Sequence, residues 1–191
     1  YNVIKAKSFF EYCIEAGLNK IIFSSTAGVY GNSLKDKVDE NDILNPISPY
    51  SKNKAEIEKY LLDLSNKKKV NCAILRYFNV AGADKKNRAG LISKNSKNII
   101  KAVCEFSLNK RLDFLINGND YNTKDGTPVR DFIHVSDLAD IHLIVAKYLK
   151  ENGKTDIFNC GYGSGFSVLE VTIEMEKILN KKLNIKIGKR R

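Results

Sequence analysis

The sequence predicts an α/β protein built on a doubly wound parallel sheet, with a smaller α/β lobe beside it. Three observations carry that expectation. Strand-like and helix-like segments alternate over the first 80 residues. The strand-like segments are continuously apolar rather than alternating, as befits strands covered on both faces. Polar groups then collect just past the strands, where ligands of such sheets bind. With 191 residues, 43% of them hydrophobic, the chain can bury a substantial core.

Taken in order, Val3, Ala6, Phe10, Cys13 and Ile14 recur at helical spacing, and Gly17 stands where a helix C-cap is expected. "KIIFSST" follows as a strand whose run Ile21, Ile22 and Phe23 is unbroken by polar residues. A polar loop is expected from Gly28 to Ser48, then a helix from near Pro49 to around Asn66. "NCAILRYFN" reads as the next buried strand, "VAGADKKNRAG" as loop and "SKNIIKAVCEFSL" as helix. Asp125 and Gly126 mark a tight turn. "VRDFIHV" leads into the helix "SDLADIHLIVAKYL", with Ser136 as its expected N-cap. "DIFNCG" reads as a strand, and "SVLEVTIEMEKIL" as a helix with Ser167 and Glu170 at capping-box spacing.

Composition narrows the function. No apolar run reaches the roughly 20 residues that a membrane span needs, and no basic-then-apolar signal opens the chain. Cys13, Cys72, Cys104 and Cys160 are far apart, each in an apolar segment, which predicts buried free thiols in a reducing cytoplasm. With only His134 and His142, no metal site assembles at ordinary spacings, so no metal is expected. The formal charge of +10 raises nucleic-acid binding, but the lysines are scattered and no aromatic residues interleave with them. Solvated helix ends and loops account for them better, and neither a nucleic-acid nor a membrane partner is expected.

One pair of residues invites chemistry. Tyr50 and Lys54 lie four apart in "SPYSKNKAE", on one face of the predicted helix. Nine tyrosines and 26 lysines make about one such spacing expected by chance, and Tyr1 with Lys5 is a second. Context separates the two. Ser24, Ser25 and Thr26 end the first strand, and Asn79 follows "LRYF" at the end of the second, so Tyr50 and Lys54 belong to a cluster. A phenol is a poor base at neutral pH, but a neighbouring ammonium favours its phenolate. Tyr50 could then take a proton from a substrate hydroxyl that Thr26 also binds.

"FSSTAGVYG", "PISPYSKNKAEIE", "LRYFNVAGAD", "NDYNTKDGTPVRDFIHVSDLADIH" and "FNCGYGSGFSVLEV" together resemble the UDP-glucose (UDP-galactose) 4-epimerases of the extended short-chain dehydrogenase/reductase superfamily. The resemblance covers essentially all of the chain. It implies a Rossmann-like domain in residues 1–80, to which segments near 131–160 return, and a mainly substrate-binding lobe in 81–191 that covers the strand ends. It also implies a bound NAD, oxidation of a UDP-hexose at C4, rotation of the 4-ketosugar and return of the hydride. Tyr50 would be the base, Lys54 would hold the nicotinamide ribose, and Thr26 would bind O4. Asn2, Ser24 and Tyr77, with Tyr50 and Lys54, match cofactor contacts. Phe78, Asn79, Asn98, Ile99, Arg130 and Arg191 match positions around the uridine diphosphate. Relatives often pair through the first helix and the Pro49 helix, so a homodimer is expected.

Some features depart from the pattern. No G-x-x-G-x-x-G phosphate loop occurs in the sequence, and "GYGSGF" has Phe166 at its third glycine position, so turn formation explains its glycines better. The chain therefore reads as a piece lacking the first strands, incomplete at its end and inactive alone. Phe132 stands where many relatives carry Tyr. Arg130 has a simpler reading as a strand-end charge paired with Asp131. The nearest rival is another NAD-dependent nucleotide-sugar enzyme: a dehydratase, a decarboxylase or a uronate epimerase. Ala27 and Gly28 after Thr26 argue against dehydration, which usually employs an Asp-Glu pair there.

Overall fold

A computed structural model describes residues 2–33, 35–93, 96, 98–110 and 114–190. The chain divides into two compact units, residues 1–78 with 137–161 and residues 79–136 with 162–191.

The first unit is built on a parallel sheet in the order β1 (Lys20–Thr26), β2 (Asn71–Tyr77), β6 (Asp156–Cys160). Its register brings Thr26 opposite Tyr77 and Tyr77 opposite Cys160, so the three carboxyl ends finish level. β2 lies in the middle and is buried continuously from Cys72 to Arg76, as its unbroken apolar run requires. Against the sheet pack α1 (Asn2–Glu15) and α2 (Pro49–Asn66), through Val3, Phe10, Phe23, Ile57, Leu61 and Ile74. Between the two helices, Lys7 pairs with Glu56 at 2.8 Å and Tyr60 donates to Glu11 at 3.0 Å. Gly17 takes a positive φ of 83°, and the Leu18 N–H reaches back to the Cys13 carbonyl, closing α1 as the sequence predicts.

Glu58 of α2 and Arg76 of β2 are almost wholly buried against each other. The Arg76 guanidinium donates to Glu58 through Nη2 at 2.7 Å and through Nε at 3.2 Å. Glu58 also accepts the Ser25 hydroxyl, and Arg76 Nη1 donates to the Tyr30 hydroxyl and the Glu40 carbonyl. Burial opposes the charge on Arg76, but the bonds to Glu58 and Tyr30 outweigh it and raise its pKa. The Tyr30 hydroxyl in turn donates to Asn159 Oδ1 of β6 at 2.7 Å. One polar network thus ties α2, β1, β2 and β6 together.

The second unit holds β3 (Asn79–Ala81), β5 (Val129–His134) and β7 (Gly165–Ser167) in that order, with β4 (Leu115–Asn117) paired to β8 (Lys186–Gly188). β3 runs parallel to β5 and β7 antiparallel to it. Its core gathers Ala102 and Val103 of α3 (Ile99–Ser107), Phe114 and Ile116 under Leu169 and Met175 of α5 (Val168–Leu179). Ser167 and Glu170 form the expected capping box of α5. Asp125 binds the Thr127 N–H at 2.8 Å and hydroxyl at 2.7 Å, and accepts the buried Ser167 hydroxyl. Burial works against that carboxylate, yet these donors hold it below its usual range.

Several expectations need correction. The loop after β1 opens with a short 3-10 helix, Ala27–Tyr30, because Val29 and Tyr30 are buried rather than solvated. The segment predicted as one strand, "NCAILRYFN", is divided: β2 ends at Tyr77, and Asn79 begins β3 in the other unit, so "VAGAD" is not all loop. α3 starts at Ile99 rather than Ser96, with the Asn98 side chain as its N-cap. Ser136 is not the cap of α4 (Val135–Lys150) but lies in its first turn, where the His134 ring accepts its N–H at 3.2 Å. Cys72 and Cys160 are buried, whereas Cys13 and Cys104 are only partly so; all four are free thiols.

Two stability measurements follow. Arg76→Leu leaves Glu58 buried without its partner and should cost about 3–5 kcal/mol in denaturant unfolding, whereas a surface change such as Lys7→Ala should cost under about 1 kcal/mol. Asn98→Ala removes both the cap of α3 and the 3.0 Å tie to the Val80 carbonyl, and should cost about 1–2 kcal/mol.

Candidate functional site

The carboxyl ends of β1 and β2 and the first turns of α2 bring Ser24, Thr26, Tyr50, Lys54 and Tyr77 together within the first unit. α2 begins where it does because the Ser48 hydroxyl caps the Ser51 N–H at 3.1 Å and Pro49 opens the helix, which fixes Tyr50 in its first turn. Gly28 is needed beside that turn, since a Cβ there would lie 2.6 Å from the buried Ser51 hydroxyl. Tyr50 is 60% exposed, so its phenol is open to a ligand.

Lys54, one turn along, reaches back to the sheet. Its ammonium donates to the Ser24 carbonyl at 2.7 Å and sits 4.8 Å from the Phe23 ring centroid and 5.7 Å from that of Tyr50. Partial burial pushes its pKa down, against an opposing pull from Glu58. The Thr26 hydroxyl oxygen accepts the Gly28 N–H at 3.2 Å, which leaves its own proton for an acceptor. Tyr77 donates to the Ser24 hydroxyl at 2.7 Å. Burial, more than any neighbour, raises the Tyr77 pKa.

The remaining predicted residues are elsewhere. Asn2 is the exposed first residue of α1, and Phe78 is the last residue of the first unit's opening segment. Asn79, Asn98, Ile99 and Arg130 belong to the second unit, where Asn98 Nδ2 meets the Val80 carbonyl next to Asn79. Arg130 is exposed, and its Nη1 donates to the Val129 carbonyl at 2.8 Å. Its suggested partner Asp131 is engaged otherwise, accepting the N–H groups of Tyr162 at 3.0 Å and Gly163 at 2.7 Å. Arg191, like Tyr1 of the second Tyr-x-x-x-Lys pair, lies outside the described residues.

Three residues beside this cluster escape a reading of the sequence alone: Glu58, Arg76 and His142. His142 Nε2 lies 2.7 Å from the Tyr77 hydroxyl. Glu58 had a local signal, since it follows Tyr50 and Lys54 at the same helical spacing. Arg76 had one as well, being a lone charge in an apolar strand, which demands a buried partner.

Comparison with known proteins identifies the family. The pattern of the NAD dependent epimerase/dehydratase family matches residues 1–161. A UDP-glucose 4-epimerase of Azospirillum brasilense is 41% identical over 179 residues, 94% of this chain and 51% of that protein. The structure of a UDP-glucose 4-epimerase from Brucella ovis in complex with NAD superposes with a TM-score of 0.94 at 30% identity, over 100% of this chain and 59% of that one. One from Bifidobacterium longum in complex with NAD+ and UDP superposes with a TM-score of 0.90 at 32% identity, over 97% and 56%. The chain spans about half the length of the curated relatives it matches. Parallel sheet, strand-end hydroxyls and sequence together lead to one conclusion: the chain belongs to the NAD dependent epimerase/dehydratase family.

Proposed function

We propose that this chain carries the hydroxyl and ammonium machinery of an NAD-dependent UDP-glucose 4-epimerase, an isomerase of galactose metabolism that interconverts UDP-glucose and UDP-galactose by transient oxidation at C4. The observation that carries the proposal is the convergence of Ser24, Thr26, Tyr50, Lys54 and Tyr77 at the ends of β1 and β2. The donor set fits the nicotinamide half of a dinucleotide. Lys54 uses one of its three N–H donors on the Ser24 carbonyl, and a ribose diol suits the others. Ser24 and Tyr77 supply hydroxyls for a carboxamide, and Asn2 is assigned to the same cofactor. Bound NAD would supply the hydride acceptor and donor at C4 of the hexose.

The chain's own residues would manage the proton. Tyr50, exposed and with the Lys54 ammonium 5.7 Å from its ring centroid, takes the proton from O4. Thr26 donates to O4 with the proton that its bond to Gly28 leaves over. Phe78, Asn79, Asn98, Ile99, Arg130 and Arg191 are assigned to the uridine diphosphate, where the arginine forks suit phosphate oxygens. Anchoring at the nucleotide would leave the hexose ring room to turn over. The names of the relatives and the NAD and UDP complexes among them support this reading. Exposed Ile4, Phe9 and Tyr12 on α1 favour a homodimer, and four free thiols suit a reducing cytoplasm. No helix among the described residues is long and apolar enough to cross a membrane.

The full-length protein incubated with NAD and UDP-galactose should form UDP-glucose. Tyr50→Phe should lower the rate by about 100- to 10,000-fold with little change in dinucleotide binding. Protein that binds NAD but converts no UDP-galactose would rule out this substrate. Lys54→Met should lose turnover as well, and its melting temperature should fall by no more than a few degrees. The charge it removes was costly to bury, so a collapse of the fold would contradict the role given to Lys54.

A further inference from the structure

His142, on α4, ends a chain of hydrogen bonds that runs inside the first unit to the Ser24 hydroxyl. The Tyr77 hydroxyl donates to Ser24 Oγ at 2.7 Å and lies 2.7 Å from His142 Nε2. His142 Nδ1 lies 2.7 Å from the Leu138 carbonyl oxygen. The Tyr77 and His142 rings pack with centroids 5.7 Å apart, so the contact is held by shape as well as by polarity.

The chain has one fixed end. A carbonyl oxygen only accepts, so Nδ1 must carry a proton. A phenol has a single proton, which leaves two arrangements. With both ring nitrogens protonated, Nε2–H donates to the Tyr77 oxygen and Tyr77 donates to Ser24, as in this structure. Ser24 then has its own O–H to offer a ligand. With a neutral ring, Nε2 accepts a hydrogen bond from the Tyr77 hydroxyl, Ser24 must donate to Tyr77, and only the lone pairs of Ser24 face outward.

We propose that His142 is a positioning residue: through Tyr77 it decides whether Ser24 offers a proton or a lone pair to the carboxamide of a bound nicotinamide. The proposal rests on the NAD reading above. The groups facing the chain leave the ring as its switch. Tyr77 comes from β2, and burial, with smaller pushes from Cys160 of β6 and Tyr50 of α2, keeps its phenol protonated despite the Ser24 bond. The Lys54 ammonium of α2 is committed to the Ser24 carbonyl. On α4 itself, Leu138, Ala139, Val145 and Ala146, one turn either side of His142, carry no charge.

The test compares affinities of the full-length protein for NAD and for the analogue whose carboxamide is replaced by an acetyl group, which keeps the carbonyl and loses the N–H donors. From acid to mildly alkaline solution, the preference for NAD over the analogue should grow by about 3- to 10-fold, the weight of one hydrogen bond. In His142→Phe the preference should stay at its low-pH value at every pH, because Tyr77 then always donates to Ser24. His142→Gln, which keeps a polar side chain, should be equally indifferent to pH and serves if the first variant fails to fold. A wild-type preference that ignores pH, or one that still follows pH in both variants, would overturn the proposal. Nitrogen NMR of the ligand-free protein decides the chain without a dinucleotide: the neutral His142 ring should be protonated at Nδ1, and a proton on Nε2 would refute it. Binding of neither dinucleotide would sink the NAD reading together with the assignment of Ser24 to a carboxamide.

Discussion

The carboxylate of Glu58 accepts the Arg76 guanidinium and the Ser25 hydroxyl in the interior of the first unit, and the position of α2 depends on those bonds. Moving a carboxylate and a guanidinium out of water costs several kcal/mol per ion, which only close geometry and extra donors offset. Here the extra partners are present: Tyr30, the Glu40 carbonyl and, through Tyr30, Asn159. Such a network has few alternative arrangements. Sliding α2 by one turn along the sheet would leave two buried charges unpaired, a far larger penalty than the same slip among apolar side chains.

The chemistry inherits that constraint. Lys54 lies one helical turn before Glu58, and Tyr50 one turn before Lys54, so the clamp fixes all three on one line along the helix. Ser25, which bonds Glu58, is flanked by Ser24 and Thr26, whose polar atoms sit at the strand end. The alternation of a β-strand does the sorting: Ser25 points into the core, and its two neighbours point the other way. A buried ion pair that adds little net stability can therefore serve by fixing register, and the site gains the precision.

Much of this was legible in the sequence for identifiable reasons. Continuous apolar runs gave β1 and β2, helical periodicity with Pro49 gave α2, and Ser167 with Glu170 gave the start of α5, because each signal is local. What escaped depends on contacts distant in sequence. The Asp125–Ser167 bond joins residues 42 apart, and the Tyr77–His142 contact joins residues 65 apart. Ser136 looked like a cap by residue type, but the His134 ring occupies that role because β5 runs straight into α4. The short strands β3, β4, β7 and β8 were invisible for a related cause: three residues show no period of their own. Among the candidate site residues, those on β1, β2 and α2 follow from local pattern with the family resemblance, and Asn79 was placed with them by its position after the strand although it opens β3 in the other unit, whereas Asn98, Ile99 and Arg130 rest on the resemblance alone.

The central claim is that C4 of the hexose exchanges a hydride while Tyr50 handles only the hydroxyl proton. UDP-galactose carrying deuterium at C4 decides it, converted by the full-length protein in ordinary water and read by mass spectrometry and proton NMR of the product. The account predicts UDP-glucose that retains its deuterium at C4. Loss of deuterium to solvent would mean that the carbon gives up a proton instead, and would contradict the roles assigned to Tyr50, Lys54 and NAD.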